Sequence, residues 1–517
     1  MAIQNFLKKE INLFTWIFAF FVVLGIVCRF VLLGVGYEYD EIFTAVAANP
    51  ALSWFYIVKH YLIVDCHPPL YNFLMWLYNH CVPYGPEWVA RLPSVFFSLI
   101  SLWVSWKFFP KFLGKTARWI FLLLLSSNIY LIFYSQQARS YMLTELLAIG
   151  LTFLYIQMAR RIWHRKEISA HQWGLYGIVA LLLCYTHYFG AFAFGIFSII
   201  LFVLACIYKQ EKRWFIWVPF LVCILFLPWL FPNLLHNISL ERFNGNWWGN
   251  TNRITWGMFS QFPRFFFSSF RDCIVIFIPF FASLFYVIKK TGSFRKIPWV
   301  REYVLLCLPF LLSFGIILLA YTKIFLLMSR YFIPFSIGIY LTVSGVIATS
   351  CRRHKWLEVL FLVGLISQFY TFSIFMPALY KGEAFSARAT ALEYQRKYSD
   401  KELFVVAFEG FPKESFEPMY AYYPQVRLGM TQPVTELLHL SEAEREEVLK
   451  RKDKAIVYLP NCHITKIRNL GMLLQREVII EYVVGTSCFL SFSEKKNYPV
   501  YMKDILIRED AMPPNRL

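Results

Sequence analysis

Charge is scarce in this sequence: Asp, Glu, Lys and Arg make up only 16% of its 517 residues. So little charge argues against a water-soluble globule of this length. No Cys-x-x-Cys spacing occurs among the 11 cysteines, which argues against a structural zinc site. There is no strict internal repeat, no low-complexity tract and no glycine-rich loop of the kind that cradles nucleotide phosphates. The apolar runs are continuous and do not alternate, which excludes a β-barrel. The first of them, Ile11 to Leu33, lacks a small-residue cleavage site and reads as a retained helix, not a removed signal peptide.

What is present is apolar and aromatic: 58% hydrophobic residues, with 54 Phe, 31 Tyr and 17 Trp. Runs near twenty residues recur, each long enough to cross a hydrocarbon core of about 30 Å at about 1.5 Å per residue. Window reading places them at 11–33, 89–108, 117–134, 141–159, 173–186, 188–208, 214–233, 272–288, 302–320, 331–350 and 356–376, about eleven spans. The fold expected is mainly α: a polytopic membrane helix bundle, since lipid tolerates no unpaired backbone. Alternate connections collect the cations: Lys8 and Lys9; Lys107, Lys111, Lys115 and Arg118; Arg160, Arg161, Arg165 and Lys166; Lys209, Lys212 and Arg213; Lys289, Lys290, Arg295 and Lys296; Arg352, Arg353 and Lys355. The positive-inside rule then puts the N-terminus in the cytoplasm, and the first long loop and the C-terminal tail outside. The net charge of +19 is a topology signal and does not call for nucleic acid.

Two domains are expected: 1–376, the membrane domain with the first outer loop 34–88, and 377–517, a small extracytoplasmic α/β domain. In the tail, Glu402 to Phe408, Lys454 to Leu459, Val478 to Val484 and Cys488 to Phe492 read as strands. Thr435 to Arg451 reads as helix, with Ser441-Glu442-Ala443-Glu444 as a capping box. In the outer loop, Ala51 to Val64 and Pro69 to Val82 read as helices lying along the interface, the second entered through a Pro-Pro turn. Cys66 with Cys81, or Cys462 with Cys488, could bridge in an oxidising compartment.

Residues unnecessary for spanning a bilayer gather on the outer side. Asp40 and Glu41 follow the first span, and side chains one apart on a helix do not face each other. They either divide their tasks or only one reacts: a carboxylate in a partly dry cleft can serve as general base, the other reading being a solvated or helix-capping acid. His67-Pro68-Pro69-Leu70-Tyr71 holds an imidazole at a helix start, where anions bind well, or is simply a rigid turn. Arg139, in Ser135-Gln136-Gln137-Ala138-Arg139-Ser140-Tyr141, and Arg330, in Ser329-Arg330-Tyr331, are outer cations that run against the charge bias. They suit capture of phosphate oxygens or of lipid headgroups, and Lys323 is a further contributor. Arg29 and Glu145 lie within their spans and are expected to pair. His187, in Tyr185-Thr186-His187-Tyr188, is either a substrate or metal contact or a hydrogen-bonded core residue. Tyr71, Arg91 and Tyr134 complete the candidates. Phe243 to Arg264, with its Trp and Asn residues, suits sugar faces or an interfacial belt.

Taken in order, Asp40-Glu41, His67-Pro68-Pro69-Leu70-Tyr71, Ala90-Arg91-Leu92-Pro93, Ser135 to Arg139, Thr186-His187-Tyr188 and Arg330-Tyr331 resemble the bacterial relatives of protein O-mannosyltransferases and of the lipid A aminoarabinose transferase, over residues 10–376. The resemblance implies an integral-membrane glycosyltransferase of the C-type fold in the bacterial inner membrane, with a polyprenyl-phosphate-linked sugar as donor and an extracytoplasmic glycan, lipid or protein as acceptor. It implies Asp40 as the catalytic carboxylate with Glu41 beside it, and Arg139 and Arg330 on the lipid phosphate. His67 stands where some relatives have a basic residue before the two prolines. Some relatives bind a divalent metal near the acid, and that stays open here. No other cofactor is expected. The competing readings are a transporter or flippase of lipid-linked sugars, and a membrane anchor without chemistry.

Overall fold

The computed structural model describes residues 2–65, 67–239, 270–291, 300–321, 329–351, 355–380, 387–406, 413–451, 454–460, 464–484, 487–496 and 505–507. Lys323, Cys66, Cys462 and the segment 243–264 lie outside them. The chain divides into two compact units. One comprises Met1–Leu33, Asp65–Met75 and Arg91–Met376; the other comprises Gly34–Val64, Trp76–Ala90 and Pro377–Leu517.

The first unit is helical. Its elements are α1 (Ala2–Cys28), α3 (Leu70–Asn79) and α4 (Glu87–Phe108), both of which continue from or into the second unit, α5 (Lys115–Ser127), α6 (Ile129–Ser135), α7 (Tyr141–Trp163), α8 (Ala170–Thr186), α9 (Tyr188–Ile207), α10 (Arg213–Ser239), α11 (Phe270–Thr291), α12 (Val300–Tyr321), α13 (Ile333–Cys351) and α14 (Lys355–Tyr380). The helix between α1 and α3, α2 (Tyr39–Val46), belongs to the second unit. Among the described residues, seven helices are long and apolar enough to cross a membrane, and the bent pair α5–α6 makes an eighth if it is one span. The remaining expected segments are also helical, in α1, α8 and α11. The chain is an integral membrane protein.

The expected run 117–134 is not one straight helix: α5 and α6 meet at 58°. Asn128 causes the break. Its backbone is extended and its Oδ1 accepts the Leu131 N–H at 3.0 Å, so it caps a new helix instead of continuing the old one. The freed carbonyls at the end of α5 are taken up by Arg29. Its guanidinium donates to Leu125 O at 2.9 Å and Ser126 O at 2.7 Å, as well as to Gly25 O at 2.7 Å and Ser98 Oγ at 2.8 Å. Gly25 is required here, because a Cβ at that position would lie 2.3 Å from Ser126 O.

The second unit contains a six-stranded mixed sheet of order β2-β1-β3-β5-β4-β6. The strands are β1 (Glu402–Val405), β2 (Val434–Glu436), β3 (Ala455–Leu459), β4 (Arg476–Val484), β5 (Ser487–Lys496) and β6 (Ile505–Ile507). β1 runs parallel to both β2 and β3, and β3 pairs with β5 antiparallel. Both faces of β1 and β3 are covered, which is why these strands read as unbroken apolar runs. Phe404, Val457 and Leu459 pack on one side with Leu449, Ile467 and Leu470, from the helices Glu442–Lys450 and Ile464–Leu474. Leu403, Val405, Ile456 and Tyr458 pack on the other with Tyr394, from the helix Ala387–Tyr398. The capping box at Ser441 is present, the Glu444 carboxylate accepting the Ser441 N–H at 2.9 Å. The helix expected over 435–451 begins only at Glu442, because Thr435 and Glu436 pair with β1 through β2. Cys81 is a free thiol, so it is not bridged to Cys66. Cys488 is disulfide-bonded.

Candidate functional site

Within the first unit, three turns and one loop bring the cationic candidates together. His67 stands before α3, held by Pro68 and Pro69. Arg139 lies between α6 and α7, in a turn closed by its own N–H donating to Gln137 O at 2.8 Å. His187 links α8 to α9, and Arg330 sits in the 3-10 turn Ser329–Phe332 ahead of α13. Arg139 Nη2 lies 3.3 Å from His67 Nδ1, and Asp65 Oδ1 lies at 3.3 Å from the same nitrogen. The two contacts compete: a guanidinium can only donate and a carboxylate only accept, so the proton on Nδ1 decides which is a hydrogen bond. The His67 and His187 rings meet edge to face, 5.4 Å between centroids. Arg330 lies 5.8 Å from the ring centres of both Tyr141 and Tyr331, within cation–π range.

Three sets of polar contacts support these groups. Ser94 Oγ donates to Arg139 O at 3.2 Å and lies 2.8 Å from the Tyr71 hydroxyl, which therefore donates to it. Asn233 Nδ2 donates to Asp65 O at 2.8 Å, and Tyr188 donates to Asn233. Gln136 Nε2 donates to Cys28 O at 2.6 Å and to Val31 O, tying the Arg139 turn to the end of α1. Asp65, His67, Arg139 and His187 are all buried. Burial first, then the neighbouring His67, Arg330 and Arg139 side chains, hold His187 well below the ordinary imidazole pKa, with Asp65 opposing. A buried cluster in which arginines outnumber carboxylates is suited to an anion, and phosphate oxygens match the guanidinium fork.

The acidic candidates belong to the second unit. α2 starts at Tyr39, and Glu41 is fully buried, its Oε2 accepting the Glu38 N–H at 2.9 Å. That contact makes Glu41 the capping acid of α2. Asp40 is half-buried on the first turn, its carbonyl accepting from Thr44 Oγ1. Tyrosines anchor this start: the Tyr37 N–H donates to the Tyr423 hydroxyl, and Tyr39 donates to Tyr420. Burial, with Tyr422 and Glu41 adding to it, raises Tyr37 well above the usual phenol pKa, so its hydroxyl stays neutral. Tyr422 donates to Gly85 O at 3.0 Å, and buried Glu87 pairs with Arg427 at 2.9 Å and with Arg388 at 3.7 Å.

Other candidates fall elsewhere. Arg91 is buried and donates to Leu33 O at 2.8 Å, a support for the turn after α1. Tyr134 packs at a tilt against Tyr141, 4.7 Å between centroids. Arg29 and Glu145 interact electrostatically but form no ion pair; the guanidinium is committed to carbonyls, and Glu145 Oε2 is buried without a hydrogen-bond partner. The broken span offers Arg29 carbonyls that it bonds directly, and Glu145 acts on it through charge alone. Sequence reading missed Asp65, Ser94, Tyr141, Tyr331 and Asn233. Of these only Asp65 carried a signal, an acid two residues before His67 in the same loop. Among the described residues no group of three or more His, Cys, Asp and Glu side chains is gathered as metal ligands are.

No family model matches this sequence, and no curated protein sequence does. Solved structures do match. ArnT from Cupriavidus metallidurans in the apo state is 12% identical and superposes with a TM-score of 0.56, over 92% of this chain and 97% of that one. ArnT from the same organism bound to undecaprenyl phosphate gives 13% identity and a TM-score of 0.50, over 92% and 98%. The archaeal oligosaccharyltransferase AglB from Archaeoglobus fulgidus, in complex with an inhibitory peptide and a dolichol-phosphate, is 10% identical with a TM-score of 0.45, over 93% of this chain and 74% of that one. The chain thus has the C-type glycosyltransferase fold expected from its motifs.

Proposed function

We propose that this protein is a glycosyltransferase that moves a sugar from a polyprenyl-phosphate donor to an acceptor hydroxyl on the non-cytoplasmic face of the bacterial inner membrane, crossing it about eleven times. One observation carries the reading: Arg139, Arg330, His67 and His187, from four separate connections, converge in the first unit. The fold supports it, since ArnT in that fold has been seen with undecaprenyl phosphate. A lipid donor also accounts for a site built from turns at the ends of apolar helices: the prenyl chain stays in hydrocarbon while the head group meets the cations.

The reaction breaks the bond from the anomeric carbon to a phosphate oxygen. Negative charge grows on the departing polyprenyl phosphate, and preorganised cations lower that barrier. Asp40 accepts the proton of the acceptor hydroxyl as it attacks from the opposite face, which gives inversion. Glu41 is kept for the helix start.

The test is to incubate purified protein with a panel of polyprenyl-phosphate sugars and follow release of free polyprenyl phosphate. Release that depends on an acceptor and on Asp40 supports the proposal. Movement of intact lipid-linked sugar across vesicles, with no bond cleaved, would replace it with transport.

A further inference from the structure

We infer that His187 is a neutral hydrogen-bond donor to the phosphate of the donor, holding its Nε2–H against an oxygen of the group that leaves. The inference rests on the reading of the cluster as a lipid-phosphate site.

The position of His187 fixes its tautomer. It ends α8 and opens α9 with extended backbone, and its Nδ1 accepts the Phe189 N–H at 3.1 Å as a helix cap. A nitrogen that accepts carries no proton, so in the neutral ring the proton is on Nε2. The tight turn is held by Gly190, where a Cβ would lie 2.6 Å from Leu183 Cγ. Nε2 is buried and has no hydrogen-bond partner among the described residues. A buried N–H left unmade is costly, and an acceptor-bearing ligand removes that cost. Its surroundings name the ligand. His67 stands before α3, Arg139 before α7, Arg330 and Tyr331 before α13, Tyr141 on α7, and Asp65 is the acid that acts on the ring. An anion with several oxygens satisfies the arginines and Nε2–H together.

The division of labour follows. The arginines supply permanent charge. His187, kept neutral by burial and by its positive neighbours, supplies a directed N–H. When the anomeric carbon–oxygen bond breaks, its electron pair stays on the phosphate, which passes from diester monoanion to monoester dianion. The acceptor's proton goes to Asp40, and none leaves His187. The Nε2–H bond strengthens as that charge grows, which is the condition for lowering the barrier.

The experiment uses the full-length protein with undecaprenyl phosphate as binding probe and a polyprenyl-phosphate sugar as substrate. In His187→Ala, kcat should fall by about 10²-fold, with the acceptor KM unchanged. In His187→Gln, whose amide can still donate, at least tenfold of the loss should return. Nitrogen-15 labelling of histidine in the native protein gives an independent reading: one Nε2–H resonance, missing in His187→Gln, should shift on adding undecaprenyl phosphate. A folded His187→Ala with near-native kcat, a Gln variant no better than Ala, or an unmoved resonance each overturns the inference. Failure of the native protein to bind undecaprenyl phosphate at all would instead remove the phosphate reading beneath it.

Discussion

Two adjacent acids with different surroundings separate structure from chemistry at single-residue scale. Glu41 spends a carboxylate oxygen on the Glu38 N–H and is fully buried, whereas Asp40, beside it on the same first turn of α2, is half-buried. Asp40→Asn should therefore leave the melting temperature unchanged and lower sugar transfer by about 10²- to 10⁴-fold, the usual span of a general base. Glu41→Ala should do the reverse in kind: about 1 kcal/mol of stability lost with the cap, seen as earlier thermal unfolding, and a smaller fall in rate. Arg139→Ala should raise the KM for donor well above any change for acceptor; equal effects would count against its phosphate role. These residues were legible because each breaks a local expectation, an acid pair beside lipid or a cation on the side poor in cations. Tyr141 and Tyr331 break none in a chain so rich in tyrosine, and only the nearness of Arg330 to both rings reveals their place.

At the scale of elements, the broken span between α5 and α6 decides where Arg139 stands. α1 and the broken span cap each other: Arg29 takes the carbonyls at the end of α5, and Gln136 takes those at the end of α1. The turn carrying Arg139 hangs from this latch. Arg29→Met would remove the side-chain donor from three buried carbonyls, those of Gly25, Leu125 and Ser126, and should cost on the order of 3 kcal/mol. Gly25→Val should act in the same direction, since its Cβ cannot share space with Ser126 O. Both should show a lower melting temperature in detergent together with a raised donor KM; a lower melting temperature alone would mean that the latch does not reach the Arg139 turn. A hydropathy window sees 117–134 as one run because the short polar stretch Ser126-Ser127-Asn128 is outweighed by the apolar residues on both sides. The bend is invisible until the guanidinium that relieves it is located, and Arg29 itself looked like half of an intramembrane ion pair.

For the molecule as a whole, the informative fact is that residues 34–64 and 76–90 of the first loop share a compact unit with the tail. The drop in apolar content after Pro377 is plain in composition. The partnership with a loop more than 300 positions earlier is not, because it depends on long-range contacts: Tyr37 with Tyr423, Tyr422 with Gly85, Glu87 with Arg427. The tail is thus part of what holds the segment bearing Asp40. Glu87 tests this most sharply. Its carboxylate is buried, with Arg427 at 2.9 Å and Arg388 farther off at 3.7 Å. Arg427→Ala leaves a buried charge short of its nearer partner, a change that costs about 3–5 kcal/mol in dry sites and less here because Arg427 is partly exposed. The expected outcome is faster proteolysis within 34–64 and weakened transfer, while donor binding to the other unit persists. Pairing Glu87→Gln with Arg427→Met removes both charges and should restore much of the protease resistance. If the double variant is no better than the single one, the contact contributes shape and not charge compensation, and the loop is held chiefly by its tyrosines.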